Sequence, residues 1–261
     1  MIKLTNLELK NITEKLLNTF LEAGRIAKEI SYRGVQITIK ADKTPVTDGD
    51  LKVDQMLRDK IVNLTPDIPI ISEETVDPKI KNTNKTFWLI DPIDGTRVYI
   101  KKGDEYTINA ALVINLKLAI GIVYAPEKDR LFFSYGKGFA FELNNGKKTD
   151  LNCNKKNSQE IVGLINSDKT PIEVLELYKQ FKVSRTIKIS SSYKFCLLAA
   201  GEADVYAAKA RAFEWDIAAG HAVLEHAGGT VTSFDGKEFF YGKENYKNLP
   251  ILAKRALNLN K

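Results

Sequence analysis

Residues 87–97 read Phe-Trp-Leu-Ile-Asp-Pro-Ile-Asp-Gly-Thr-Arg, an apolar run that ends abruptly in two carboxylates separated by a proline and an isoleucine. No other stretch restricts the fold as strongly. Pro92 fixes its own φ and drives Asp91 toward an extended conformation, so a strand has to end stiffly there. Gly95 then lets the backbone turn, and Thr96 can orient a water or cap a following turn. Two carboxylates held rigidly at a strand end suit a hard, oxygen-seeking cation such as Mg²⁺. The N–H groups beyond the turn suit a phosphate. Taken alone, the same letters also spell an ordinary acidic turn. The rest of the chain has to decide between the two.

The 261 residues, 44% of them hydrophobic, suffice for one large domain or two closely packed subdomains. No apolar run approaches the ~20 residues that span a bilayer. The first residues, Met1-Ile2-Lys3-Leu4-Thr5-Asn6, lack the apolar region and cleavage site of a secretory signal, so a cytoplasmic protein is expected. Cys153 and Cys196 belong to no CxxC or Cys/His cluster, which suits two reduced thiols. A formal net charge of +6 is compatible with an anionic partner, whether nucleotide, nucleic acid or the inner face of a membrane. Lys and Arg are interleaved with Asp and Glu, however, and most of that charge is expected on solvated surface.

Ile12, Leu16, Phe20, Ala23, Ala27 and Ile30 recur at spacings of three and four, predicting a helix over 7–31 with a close contact at Gly24. An irregular strand is expected over 32–40. The turn-rich run from Asp42 to Asp50 opens a second helix, with Leu51, Met56, Leu57 and Ile61 inward and Thr65-Pro66 as its stop. Asp50 stands where a carboxylate caps free N–H groups. Residues 68–71 read as a short buried strand delivering Ser72-Glu73-Glu74, the second place where an apolar run ends in acids. Two such strands lying side by side would bring their acids together. The polar residues 76–86 read as a mobile loop or flap.

Strand candidates at 106–114, 118–124, 131–135 and 139–143, with a hairpin signal at Asn145-Gly146, predict an antiparallel meander. After a polar stretch at 147–158 the pattern changes. Strands at 161–165, 186–189, 204–207 and 230–233, the last clear one, alternate with helices. One helix opens on a capping box, Thr170-Pro171-Ile172-Glu173, one covers 192–200, and one opens on Glu214-Trp215-Asp216. The expected class is α/β, a layered α+β sandwich, with subdomains at 1–150 and 151–261.

The acids at element ends are Asp50, Glu73, Asp91, Asp94 and Asp216. Carboxylates without histidine or cysteine favour Mg²⁺ or Mn²⁺ over zinc. His221 and His226 lie five apart, on different faces of a helix, and are not expected to act as ligands. No GxSxG elbow, phosphate-binding Gly-x-x-x-x-Gly-Lys loop or GxGxxG fingerprint occurs, which removes the commonest hydrolase, NTPase and dinucleotide readings.

Glu73-Glu74, then Asp91-Pro92-Ile93-Asp94-Gly95-Thr96, then Trp215-Asp216-Ile217-Ala218-Ala219-Gly220 resemble the three signatures of the inositol monophosphatase superfamily, in its order. The resemblance extends over nearly the whole chain, including Thr44-Pro45-Val46-Thr47 with Asp50. Within the superfamily the chain is most similar to 3′(2′),5′-bisphosphate nucleotidases of the CysQ type. The matching segments are Tyr106-Thr107-Ile108-Asn109-Ala110-Ala111-Leu112, Gly121-Ile122-Val123-Tyr124-Ala125-Pro126 and Ser191-Ser192-Tyr193-Lys194-Phe195-Cys196-Leu197.

The resemblance implies an α-β-α-β-α arrangement with the active site at the seam. It implies that Glu73, Asp91 and the Ile93 carbonyl hold one Mg²⁺, and that Asp91, Asp94 and Asp216 hold a second. Gly95 and Thr96 would serve the phosphate and the attacking water. Asp50 would hydrogen-bond Thr96, with Glu73 or the Asp50–Thr96 pair as the base. Ser191 and Lys194 would contact a nucleotide, as would Arg97, which follows Asp94-Gly95-Thr96 where lysine is expected. Glu214 precedes the Trp-Asp pair where an uncharged residue is expected, and the basic residue expected after Tyr206 is out of register, with Lys209 or Arg211 in its place. The implied reaction is two-metal-assisted in-line hydrolysis of 3′-phosphoadenosine 5′-phosphate, a by-product of sulfate activation, with sensitivity to Li⁺. The implied partner is a small bisphosphate nucleotide and not nucleic acid. Peripheral membrane association, and a monomer or a homodimer, stay open. An inositol or broad sugar phosphatase is the alternative enzyme, and a phospho-ligand or RNA-binding module the alternative outside catalysis.

Overall fold

The computed structural model describes residues 2–77, 82–154 and 160–256. Helix α1 (Asn6–Arg33) starts at a capping box: Thr5 N–H donates to the Glu8 carboxylate at 2.7 Å, and Glu8 N–H to the Thr5 hydroxyl at 3.3 Å. The helix absorbs the beginning of the expected strand at 32–40, of which only β1 (Ile37–Ile39) remains, paired with β2 (Pro45–Thr47). Helix α2 (Asp48–Leu64) buries Val53, Leu57 and Ile61, whereas Leu51 is 54% exposed. The inward placement of Leu51 is therefore corrected: the buried stripe follows 50, 53, 54, 57 and 61, and Leu51 is off it.

Strand β3 (Ile70–Ser72) pairs in parallel with β4 (Phe87–Asp94), and β5 (Thr107–Ile114), β6 (Lys117–Ala125), β7 (Arg130–Ser134), β8 (Ala140–Asn144) and β9 (Lys147–Asp150) follow as an antiparallel meander. Together they form a seven-stranded sheet in the order β3 to β9. Asn145 and Gly146 both take positive φ, 48° and 74°, in the turn between β8 and β9, as a tight hairpin requires. The polar stretch at 147–158 thus begins with a strand; residues 155–158 lie outside the described residues, as do 78–81 of the expected flap.

A second sheet contains β10 (Val162–Ile165), β11 (Arg185–Lys188), β12 (Val205–Ala208), β13 (Thr230–Thr232) and β14 (Ile251–Lys254), in the order β11-β10-β12-β14-β13. Strand β14, which follows Leu249-Pro250, comes after the one read as last. Helix α4 (Ile172–Gln180) has no capping box: Pro171 occupies the cap position and offers no side-chain acceptor, and Thr170, one residue before it, donates its hydroxyl to the Ser167 carbonyl at 3.1 Å. Helices α3 (Thr96–Ile100), α5 (Tyr193–Ala199) and α6 (Glu214–His226) complete the chain.

Side-chain alternation builds the layers. Trp88, Ile90, Ile108, Ala110 and Leu112 face α1 and α2, while Phe87, Leu89, Ala111 and Val113 face α5 and α6. Tyr206 and Ala208 close that second core from the five-stranded sheet, and Val205 and Ala207 face α4. The order is helices, sheet, helices, sheet, helix. Gly24 meets the seven-stranded sheet where a Cβ would lie 2.2 Å from the Tyr124 ring. Gly121 does the same for α6, where a Cβ would come 2.5 Å from the Ala219 carbonyl.

Candidate active site

The parallel pairing of β3 and β4 sets Ser72 against Ile90, and Glu73 N–H continues the ladder by donating to the Ile90 carbonyl at 3.1 Å. Glu73 and Asp91 therefore leave adjacent strands at the same end. Past Asp91 the pairing with β5 slips, so that Asp91 faces Asn109 and Asp94 faces Thr107. This irregularity falls at Pro92-Ile93, where proline cannot donate to a ladder. Gly95 turns the chain at φ 92°, ψ 36°, a left-handed conformation suited to glycine, and α3 begins at Thr96.

Helix α6 arrives from the other sheet. Asp216, in its first turn, accepts the Phe213 N–H at 2.8 Å. Glu73, Asp91 and Asp216 each offer a carboxylate oxygen, and the three atoms lie within 4.8 Å of one another. Asp94 accepts the Ser192 N–H in a short hydrogen bond. The Thr96 hydroxyl lies 3.3 Å from Asp50 Oδ1 and 3.1 Å from the Ile93 carbonyl oxygen. Asp50 in turn accepts Thr47 N–H at 2.8 Å and the Thr47 hydroxyl at 2.5 Å, so its capping role and its contact with Thr96 coexist.

The electrostatics are lopsided. Burial, then repulsion from Glu73, Asp94 and Asp216, raises the Asp91 carboxyl well above its ordinary range. Burial, then Asp94 and Glu73, does the same to Asp216. Glu73 and Asp94 are also raised, mainly by burial, and burial pushes Asp50 up to about 6. One oxygen of Asp91, Oδ1, is buried with no hydrogen-bond partner. Such an orphan among converging like charges is what an all-oxygen cation site looks like before its ion is counted.

Lys40, just past β1, carries no signal of a role in the sequence, yet its ammonium lies 2.7 Å from the Glu74 carboxylate and 3.4 Å from that of Glu73. Lys194 is buried on α5, not on the surface. It donates to the carbonyls of Ile189, at 3.4 Å, and Ser191, and stands 5.2 Å from the centre of the Tyr206 ring. Burial pulls its pKa down to about 8, while the nearby Asp94 carboxylate opposes the shift. Ser191 takes a positive φ of 53° immediately before α5. Arg97 is exposed.

Of the two basic residues beyond Tyr206, Lys209 pairs with Glu173 at 2.5 Å, and Arg211 acts electrostatically on Asp94 and Asp216. Both line a cavity of about 120 Å³ with Asn166 and Thr170. Glu214, buried, accepts Gly242 N–H at 2.8 Å and Lys243 N–H at 2.9 Å and pairs with the Lys243 ammonium at 2.7 Å. The carboxylate that looked misplaced in the sequence fastens a loop. His221 and His226 are both buried and bonded to hydroxyls, away from the acids. Polar residues inside an apolar strand, such as Asn109 between Ile108 and Ala110, were the available signal for further partners of the site.

Known proteins resemble this chain at both levels. Residues 8–256 match the inositol monophosphatase family. A 3′(2′),5′-bisphosphate nucleotidase CysQ of Escherichia coli O6:H1 is 35% identical over 218 residues, 82% of this chain and 87% of that protein. A CysQ of Buchnera aphidicola is 32% identical over 241 residues, 89% of this chain and 90% of that protein. The crystal structure of CysQ from Bacteroides thetaiotaomicron superposes with a TM-score of 0.78 at 26% identity, covering 95% of this chain and 98% of that one. An IMPase of Thermotoga maritima gives a TM-score of 0.74 at 26% identity, covering 92% and 90%. The signatures noted in the sequence, the layered fold and these matches agree, and the chain belongs to the inositol monophosphatase family.

Proposed function

We propose that this chain is a Mg²⁺-dependent 3′(2′),5′-bisphosphate nucleotidase, removing the 3′-phosphate of 3′-phosphoadenosine 5′-phosphate to leave AMP and inorganic phosphate. The observation that carries the reading is the convergence of Glu73, Asp91 and Asp216, with an Asp91 oxygen that is buried and unpartnered. Similarity to the CysQ proteins supports the nucleotide as substrate. Oxygen donors alone fit Mg²⁺ and not zinc. Glu73, Asp91 and the Ile93 carbonyl would hold one ion, and Asp91, Asp94 and Asp216 another. Bound there, Mg²⁺ supplies the positive charge that a phosphate dianion needs before a nucleophile can approach, and it makes water more acidic.

The chain's own groups supply the rest. With the Ile93 carbonyl turned to an ion, the Thr96 hydroxyl would give its one proton to Asp50 and keep lone pairs to orient an attacking water. Asp50, raised to about 6, is matched to accept a proton near neutral pH. Gly95 and Thr96 open α3 with N–H groups that suit a phosphate oxygen. Ser191 lies against the Gly95 turn and the buried Lys194 follows on α5, where the nucleotide would lie, and an anion beside Lys194 would restore the charge that burial weakens.

Phosphate release measured side by side on 3′-phosphoadenosine 5′-phosphate and inositol 1-phosphate, with Mg²⁺, tests the reading. A kcat/KM at least tenfold higher on the nucleotide is expected. Equal or reversed preference removes the nucleotidase reading in favour of a sugar phosphatase. No release from any monoester would favour a phospho-ligand-binding module.

A further inference from the structure

Glu105, Thr107 and Asn109 alternate along the entrance to β5, so their side chains share one face. All three grip the turn ahead of α5. Glu105 accepts the Ser190 N–H at 2.8 Å. The Thr107 hydroxyl lies 3.0 Å from the Ser192 hydroxyl, which donates to Asn109 Oδ1 at 2.7 Å. Thr107, Asn109 and Ser192 are each no more than 1% exposed. The same two β5 residues face the acids across the sheet, Thr107 opposite Asp94 and Asn109 opposite Asp91. The Ser192 N–H donates to Asp94. The Asn109 amide also bears on the Asp94 carboxylate, although its Nδ2 makes no hydrogen bond of ordinary geometry.

We propose that Ser192 is a positioning residue: clamped by Thr107 and Asn109, it aims the Asp94 carboxylate at the metal site. The inference rests on Asp94 being a metal ligand, as proposed above. A partly buried carboxylate with one oxygen tied to a fixed N–H has little freedom to rotate, so its other oxygen is presented in one direction. Without the hydroxyl, the Ser192 N–H remains but the turn that carries it loses its anchor to β5. The clamp spans more than 80 residues of sequence and joins β5, the neighbour of the acid-bearing β4, to the helix that bears Lys194.

Mn²⁺ binding, read by electron paramagnetic resonance on the full chain without substrate, tests this. Partners that orient a ligand typically change metal affinity by about 10–100-fold, so Ser192→Ala is expected to weaken Mn²⁺ binding by at least tenfold. Thr107→Val, which keeps shape and removes only the hydroxyl, is expected to weaken it several-fold, and the double variant little more than Ser192→Ala alone. Ser192→Thr, which keeps a hydroxyl, is expected to restore most of the affinity. Thr107→Val also covers the case in which Ser192→Ala does not fold. Native Mn²⁺ affinity in a folded Ser192→Ala or Thr107→Val variant would overturn the positioning role. Asp94→Asn is measured in parallel: native affinity in that variant would show instead that the ligand assignment is at fault.

Discussion

The two ends of α6 carry buried titratable groups under opposite conditions. At the first turn Asp216 meets Glu73 and Asp91, all three carboxyls are raised, and one Asp91 oxygen has no partner. Toward the other end His221 Nδ1 lies 2.8 Å from the Tyr241 hydroxyl. His226 Nδ1 lies 2.9 Å from the Ser134 hydroxyl and accepts the Gly136 N–H at 3.2 Å. Burial lowers His221 to about 3 and His226 to about 4, so both are neutral and satisfied. Burial alone does not mark a functional group. The distinguishing feature is whether the chain supplies the partner.

Substitutions in the acid cluster at one end of α6 and at the histidines toward the other should therefore separate activity from stability. The largest effect is expected from Asp94→Asn, which removes a charged oxygen from the acid cluster: a loss of about a thousandfold in kcat/KM, roughly 4 kcal/mol of transition-state stabilisation. Steady-state phosphate release checks it, and turnover near that of the native chain would place the cation elsewhere. His226→Asn is expected to cost about 2–3 kcal/mol in urea unfolding at pH 7.5, through broken buried hydrogen bonds, with kcat within twofold of native. A large drop in kcat without loss of stability would erase the contrast between the ends.

The same histidine gives a pH test whose sign is fixed. Its native pKa, about 4, lies below its ordinary value, so the native state refuses a proton that the unfolded chain accepts. Its contribution to stability is complete above about pH 6.5 and is lost as pH falls toward 4, at up to about 1.4 kcal/mol per unit. The acid cluster is raised, so it biases stability in the opposite sense. Taking the native chain minus His226→Asn cancels that background. A difference that does not change between pH 7.5 and 5 would mean that the ring is charged in the folded state.

The smallest and most diagnostic effect is a gain. Without added metal, Asp91→Asn relieves like-charge repulsion and is expected to raise stability by about 1–2 kcal/mol, while saturating Mg²⁺ stabilises the native chain and not the variant. Thermal unfolding with and without Mg²⁺ decides it. Destabilisation of the metal-free variant would mean that Asp91 is structural, like the histidines.

The acids were legible in the sequence because each ends a locally readable element: Glu73 and Asp91 close apolar runs, and Asp216 opens a helix. Their meeting was legible only as a condition, that the two strands lie side by side; the parallel pairing of β3 and β4 is what meets it. What escaped were groups whose role exists only in tertiary contact. Ser192 is one polar letter among three serines until Asn109, 83 positions away, is set against it. Lys40 looked like the end of a strand until Glu73 and Glu74 were folded beneath it. Thr170 failed for a local reason: the helix starts one residue later than expected, with Pro171 at the cap position, so the Thr170 hydroxyl lies outside the cap and bonds the Ser167 carbonyl.

Among the described residues the seven-stranded sheet ends in the exposed strand β9 with Lys147 and Lys148, whereas on β11, at the rim of the five-stranded sheet, Arg185 and Lys188 pair with Glu160 and Asp168. Exposed strand borders are templates on which further copies of a chain can add, and lysine or arginine there makes the approach of an identical border repulsive. Part of the excess positive charge is thereby accounted for without any ligand. It acts between molecules as a colloidal safeguard, keeping two long sheets from stitching together in a crowded solution. High ionic strength would weaken that safeguard first.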